Sequence, residues 1–108
     1  MKSGEIWLAE IPNSSGHEQS GKRPVYLVSK SIGDLIMAIP LTSNIDALRF
    51  SATLLVEASK INNLENDSVL LVFQMRAIDK KRLSKKIGKL KTGDIKLLVK
   101  QIKILLNL

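Results

Sequence analysis

A succession of short apolar segments separated by turn signals, followed by one helical pattern, most strongly constrains the fold of this 108-residue chain. The short segments alternate or are rich in β-branched and aromatic residues, both of which are typical of strands. This order predicts a small, strongly curved antiparallel β-sheet or barrel with a C-terminal α-helix. Because 44% of the residues are hydrophobic, the chain has material for one modest core, and we expect residues 1–108 to form a single domain.

Turn-favouring Gly, Pro, Asn and Asp residues bound the predicted strands. These strands are Glu5–Ile11, Val25–Ser29, Leu35–Leu41, Phe50–Glu57, Ser68–Phe73 and Leu83–Leu90, and a continuation of the fifth to Ile78 stays open. Thr92 is the predicted N-cap of a helix that runs from Gly93 to about Leu106.

The predicted helix has two apolar surfaces separated by lysines and a glutamine. The first arc contains Ile95, Leu98, Val99, Ile102, Leu105 and Leu106, and the second patch contains Leu97, Ile104 and Leu108. A small domain needs only one such surface for its own core, so the second predicts a partner surface, most simply that of a symmetric homodimer. The alternative is that the fold covers more of this helix.

Charge and composition narrow the classes of partner and site. Residues 79–108 hold ten Lys and Arg residues against two acids, whereas the whole chain has a net charge of +7. A basic end of this kind attracts nucleic acid or an acidic polypeptide, although a solvated lysine surface is the simpler alternative. The absence of cysteine excludes disulfides and fits a reducing cytosol. No apolar run could span a bilayer, so we expect a cytoplasmic protein with no membrane contact.

The segment from Gly16 to Pro24 gathers a histidine, a carboxylate, an amide and two cations between predicted strands. Loops that collect polar side chains on a rigid scaffold commonly carry function. The planar guanidinium of Arg23 matches phosphate oxygens, so we predict that Arg23 binds an anion. A surface arginine paired with Glu18 is the alternative. With one histidine and no cluster of acids in the chain, we expect no metal and no cofactor.

A second polar group, Thr42-Ser43-Asn44, follows a predicted buried strand, so its side chains could reach a cleft beside that strand. From the residues alone an ordinary turn is the simpler interpretation, because such side chains commonly bond to nearby backbone.

Four segments of the chain resemble those of the MazF/PemK/Kid family of toxin ribonucleases, in the same order and at compatible spacing. They are Gly4–Leu8, Gly16–Val25, Pro40–Asn44 and Gln74–Leu83. The resemblance implies an SH3-like small β-barrel of the CcdB/PemK type that works as a homodimer. It also implies the toxin of a type II toxin–antitoxin pair, acting as a metal-independent, sequence-selective endoribonuclease. Such an enzyme cleaves single-stranded RNA, including mRNA, by attack of the 2′-hydroxyl, and an acidic antitoxin blocks its grooves.

The resemblance also assigns the site. Arg23 and Thr42 match the family's functional pair, and His17 matches a histidine of the Kid branch that could position or exchange a proton. The residues expected to bind substrate are Glu18, Gln19, Lys22, Ser43, Asn44, Phe50 and Gln74.

Phe73 departs from the Kid pattern. Kid-like toxins have an acidic residue, proposed as a general base, just before the glutamine that Gln74 matches, and an arginine where Leu71 stands. That base and acid do not carry over, which leaves proton transfer to Arg23, His17 or water. Two other functions stay open: a CcdB-like poison of DNA gyrase, and a catalytically inactive relative that binds nucleic acid or antitoxin. The Gly16–Pro24 segment argues against the gyrase poison.

Overall fold

The computed structural model describes residues 1–10 and 21–108. Within these ranges, strands β1 to β7 form one antiparallel sheet, and a single long helix, α1, follows them. The strands are β1 Glu5–Glu10, β2 Lys22–Leu27, β3 Leu35–Thr42, β4 Thr53–Val56, β5 Ser68–Leu71, β6 Arg76–Asp79 and β7 Leu83–Lys89, and α1 is Thr92–Leu106. Short 3₁₀ helices occupy Ile45–Arg49, Val72–Gln74 and Lys80–Arg82. No helix in the described ranges has the length and apolar character needed to cross a membrane.

The sheet confirms the predicted fold class, mainly antiparallel β with one C-terminal helix. Its strands lie in the order β4-β5-β3-β2-β1-β7, and β6 pairs with the first half of β3. Among the described residues the outer strands β4 and β7 do not pair with each other. The sheet is therefore not closed by hydrogen bonds, although its form is compatible with a barrel-like fold.

Both faces of the sheet are covered by apolar side chains. Along β2, the alternation of a strand places Val25 and Leu27 in one core cluster and Tyr26 in the other. The larger cluster packs beneath α1, through the buried Leu98, and the smaller one lies on the opposite face. This two-sided burial fixes which face each residue of β2 and β3 presents.

Helix α1 contacts the sheet along a narrower line than the sequence predicts. It packs on β4 and on the 3₁₀ helix Val72–Gln74, so only Leu98 is buried and Ile95 and Ile102 are partly buried. The rest of its apolar residues are exposed: Leu97, Val99, Ile104, Leu105, Leu106 and the adjoining Leu108. The alternative that the fold covers the second patch is therefore wrong, and this surface remains available to a partner.

Three predicted boundaries are wrong for identifiable reasons. Strand β2 begins at Lys22 instead of Val25, because Pro24 fits within the ladder opposite Leu8 of β1. The apolar run after Ser68 breaks at Val72, since the long β3 pairs with both β5 and β6 along the same edge and the chain must step between them. The N-cap of α1 is Lys91 instead of Thr92, without a side-chain capping bond.

Close approach of the turn 59–63 to β7 depends on Gly88. A Cβ atom at Gly88 would lie 2.5 Å from the Asn62 carbonyl oxygen and 2.6 Å from that of Ile61. The turn is tied to β7 on both sides of this glycine, because Asn63 Nδ2 donates to the Ile87 oxygen at 2.6 Å and the Lys89 amide donates to Ile61 at 3.1 Å.

Gly88→Ala is expected to lower the free energy of unfolding by about 1–3 kcal/mol, because the methyl group must displace backbone atoms. The matched control is Gly93→Ala in the first turn of α1, where an added Cβ has no neighbour within 4 Å. That control is expected to change stability by less than about 1 kcal/mol, in the stabilising direction. Urea unfolding followed by fluorescence of the single tryptophan measures both, and equal effects would contradict the close-approach argument.

Candidate functional site

An open groove of about 900 Å³ lies where the ends of β2 and β3 approach β7 and the segment 63–66. Its lining includes the cations Lys22, Arg23, Lys85 and Lys86. Among the described residues, Glu65 contributes the one carboxylate of the lining. The groove therefore carries a positive potential, which favours an anionic ligand.

Arg23 and Thr42 lie beyond the same end of the ladder between β2 and β3. The last pair of that ladder is Val25 with Pro40, and Arg23 and Thr42 follow two residues further on along their strands. Side chains two residues apart on a strand share a face, so Arg23 and Thr42 lie on the face of Val25 and Pro40. Both residues line the groove.

The hydroxyl of Thr42 is oriented by its own turn. Its Oγ1 accepts a hydrogen bond from the Asn44 amide at 3.2 Å, which leaves the hydroxyl proton free to donate elsewhere. Asn44 in turn caps the 3₁₀ helix Ile45–Arg49, since its Oδ1 accepts from the Asp46 amide at 3.1 Å. The triplet is thus a turn held by local side-chain bonds, as the residues alone indicate, and its Thr42 and Ser43 also line the groove.

Other residues predicted to bind substrate lie apart from this groove. Phe50 and Phe73 are exposed and contact each other, with ring centroids 5.9 Å apart, and the Arg49 guanidinium lies 4.7 Å from the centre of the Phe50 ring. Gln74 is exposed beside Phe73 at the end of a 3₁₀ helix. None of Phe50, Gln74 and Asn44 is among the described residues that line the groove. His17, Glu18 and Gln19 lie outside the described residues.

Comparison with known proteins agrees with this fold. The family model described as PemK-like, MazF-like toxin of type II toxin–antitoxin system matches residues 2–106. The chain belongs to this toxin family. An endoribonuclease MazF of Staphylococcus saprophyticus is 31% identical over 112 residues, which cover 100% of this chain and 92% of that protein.

Solved structures of MazF proteins share the fold of this PemK/MazF-like toxin. MazF-mt6 of Mycobacterium tuberculosis superposes with a TM-score of 0.75 at 18% identity, covering 96% of this chain and 97% of that one. A MazE–MazF structure from Deinococcus radiodurans gives a TM-score of 0.76 at 20% identity and covers 100% of this chain and 96% of its own.

Lys85 and Lys86 of β7 and the segment 63–66 belong to the groove of this toxin, and the sequence did not single them out. In the sequence, Lys85 and Lys86 counted only toward the positive charge of the C-terminal third, and the segment 63–66 was not among the predicted site residues. The sequence held one signal for these lysines. Two adjacent lysines within a predicted strand point to opposite faces of the sheet, so one cation lies on whichever face carries a site. In residues 1–10 and 21–108, which contain no histidine, the acidic side chains form no group that could hold a metal ion.

Glu5 organises one wall of this region through three donors. Its Oε1 accepts from Trp7 Nε1 at 3.0 Å and from the Lys2 amide at 2.8 Å, and its Oε2 lies 2.9 Å from Lys86 Nζ. These bonds lower the pKa of Glu5 from 4.5 to about 2, and the bond from Trp7 has the largest effect. The carboxylate is therefore ionised at neutral pH.

The stabilisation contributed by Glu5 is expected to depend on pH. A carboxyl group whose pKa is lowered by folding stabilises the protein above its unfolded pKa and loses that contribution as the pH falls toward the folded pKa. Wild type should thus be more stable than Glu5→Gln above pH 4.5, and the difference should shrink as the pH falls from 4.5 to about 2. Urea unfolding at several pH values measures this difference, and a constant difference across that range would contradict it.

Proposed function

We propose that this chain is the toxin of a type II toxin–antitoxin pair and acts as a metal-independent, sequence-selective endoribonuclease on single-stranded RNA, including mRNA. The observation that carries the proposal is that Arg23 and Thr42, each two residues beyond the Val25–Pro40 pair, line the same cationic groove. Membership of the toxin family and similarity to an endoribonuclease MazF support the same activity. We place its action in the cytoplasm, where mRNA is available.

The chemistry needs few protein groups because RNA carries its own nucleophile. The 2′-oxygen attacks the adjacent phosphorus and loses its proton, a new P–O2′ bond forms and the P–O5′ bond breaks. The 5′-oxygen leaves and takes up a proton, so that the products are a cyclic phosphate and a free 5′-hydroxyl. The protein must stabilise the extra negative charge on the five-coordinate phosphorus, and preorganised donors do this effectively.

We assign that stabilisation to Arg23 and Thr42. The guanidinium presents paired N–H donors to two phosphate oxygens, and the free hydroxyl proton of Thr42 can donate to the same group. A guanidinium is not deprotonated in proteins, so Arg23 is a poor proton donor and proton transfer falls to His17 or water. Phe73 is apolar and cannot act as the general base that Kid-like toxins have at its position.

Substrate binding is divided between the groove and the exposed aromatic surface. Lys22, Ser43 and Asn44 lie at or beside the groove and are proposed to contact the RNA there, together with Glu18 and Gln19. Phe50 offers an exposed ring on which an unpaired base can stack. The Phe50 ring contacts Phe73, and Gln74, which follows Phe73 in the chain, is proposed to contact the RNA at the same surface. We propose that RNA passes over both surfaces.

A homodimer and an antitoxin complete the proposal. The exposed apolar residues of α1 and the terminal Leu108 form a surface that a second copy of the chain would bury. MazF proteins in the structures that match this fold include one crystallised with MazE, which supports a cognate antitoxin as partner. An acidic antitoxin segment would block the groove through its lysines and Arg23.

Arg23→Ala is expected to lower kcat for RNA cleavage about 10²–10³-fold, because a preorganised donor to the transition state is lost. The assay uses a long single-stranded transcript in the presence of a chelator, and Arg23→Lys is the matched variant that keeps the charge but loses the planar fork. We expect Arg23→Lys to restore only part of the rate.

Three outcomes of that assay would contradict the proposal. Cleavage that stops in chelator would exclude the metal-independent reaction. Intact RNA together with gyrase-dependent DNA breaks would favour the gyrase poison. Intact RNA without any effect on gyrase would leave an inactive binding protein.

Ile104→Asp is expected to convert the proposed dimer to a monomer at micromolar concentrations, since it buries a charge in the interface. The matched control is Ile32→Asp, because Ile32 is 79% exposed in the turn between β2 and β3 and Ile104 is 68% exposed on α1. Sedimentation velocity measures the mass of each variant. A wild-type monomer, or a dimer that persists in Ile104→Asp, would contradict the helix surface as the dimer interface.

A further inference from the structure

The carboxylate of Glu5 fixes the position of one groove cation. Its Oε2 accepts from Lys86 Nζ, while Trp7 Nε1 and the Lys2 amide both donate to Oε1. The Glu5 side chain is 13% exposed, whereas that of Lys86 is 50% exposed. One end of this ion pair is thus held within the protein, and the other reaches solvent at the groove.

The sheet places this ammonium group on the same face as the proposed catalytic pair. Trp7 of β1 pairs with Lys86 on one side and with Val25 on the other. Paired residues of an antiparallel ladder share a face, and Val25 shares its face with Arg23 two residues away. Lys86 and Arg23 therefore project from one face, two strands apart, and both line the groove.

An ammonium held in this way keeps two of its three N–H donors for a ligand. Lysine side chains are long and flexible, so a bond that restrains the ammonium before the ligand arrives reduces the entropy lost on binding. The low pKa of Glu5 means that the restraining charge persists at neutral pH. A cation on the same face as Arg23, but displaced across the sheet, is suited to a phosphate next to the one being cleaved.

We propose that Lys86 binds a backbone phosphate of the RNA adjacent to the scissile phosphate, and that Glu5, fixed by Trp7, is the positioning residue for the Lys86 ammonium. This inference rests on the proposed ribonuclease function. A phosphodiester strand is the favoured ligand over an acidic peptide, because Arg23 presents a phosphate-matching guanidinium on the same face and in the same groove.

The test uses three variants: Lys86→Met, Glu5→Gln and the double variant that combines these two changes. Lys30→Met is the control. Lys30 is an exposed lysine beyond the opposite end of β2 from Arg23, so it matches the charge change away from the groove. KM and kcat are measured on a long single-stranded transcript over a series of KCl concentrations. Kd is measured by fluorescence anisotropy with a labelled single-stranded 2′-O-methyl oligoribonucleotide, which lacks the nucleophile.

Lys86→Met is expected to raise KM and Kd about tenfold with kcat changed less than about twofold, as for one lost bond to a charged group. The slope of log Kd against log salt should fall by about 0.7, the value for one phosphate contact on a single strand. Lys86→Arg should keep the slope of wild type.

Glu5→Gln separates positioning from a structural role. It should raise KM about threefold while leaving the salt slope unchanged, since the ammonium stays but is no longer restrained. In the Lys86→Met background it should have no further effect on KM or Kd. Unfolding measured in urea shows that each variant is folded under the assay conditions.

Other outcomes would overturn the inference. If Lys86→Met has the same KM, Kd and salt slope as Lys30→Met, Lys86 does not belong to the RNA site. The same conclusion follows if Lys86→Met binds an acidic peptide more weakly but binds RNA as wild type does. An added effect of Glu5→Gln in the double variant would show that Glu5 acts apart from Lys86. If wild type leaves the transcript intact, the ribonuclease function fails, and Kd for the 2′-O-methyl strand still decides whether Lys86 holds a phosphate.

Discussion

The pairing of β2 with β3 is the constraint on which the rest of the site depends. Its ladder ends two residues before Arg23 and Thr42, so both residues reach one groove although 18 residues separate them in the chain. A slip of one residue would turn the side chains of one strand to the opposite face of the sheet. The buried Val25 and Leu27 oppose such a slip, because it would remove them from the cluster in which they pack and put the larger Tyr26 in their place. The same packing that stabilises the core thus sets the geometry of the proposed catalytic pair.

The opposite wall of the groove depends on a close backbone approach instead of on side-chain packing. Asn62 is buried, accepts from the Ser59 and Leu64 amides and donates to the Glu57 carbonyl, so the turn before segment 63–66 is internally bonded. Gly88 lets this turn lie directly against β7. Lys85 and Lys86 of β7 and the segment 63–66 are therefore held in one arrangement, and a cationic groove can exist before any ligand binds.

Much of the fold followed from local pattern. Alternation and turn residues located the strands, and helical spacing located α1 to within one residue, since these signals reflect a few neighbouring residues. The break at Val72 escaped prediction because it serves the pairing of β3 with two separate strands. The placement of Arg23 on β2 instead of in a loop escaped for a similar reason, since Pro24 is tolerated only where its ladder partner needs no amide donor.

The sequence by itself determined the chemistry that is available: a guanidinium, a threonine hydroxyl, a basic C-terminal third and an apolar helix face, together with segments that resemble one toxin family. Only the tertiary structure decided which of these groups meet. It joined Arg23 to Thr42, added Lys85 and Lys86 to their groove, and left Phe50 with Phe73 on a separate surface. The physical reason is that strand register and backbone approach are properties of distant segments in contact, and local residue patterns carry no record of them.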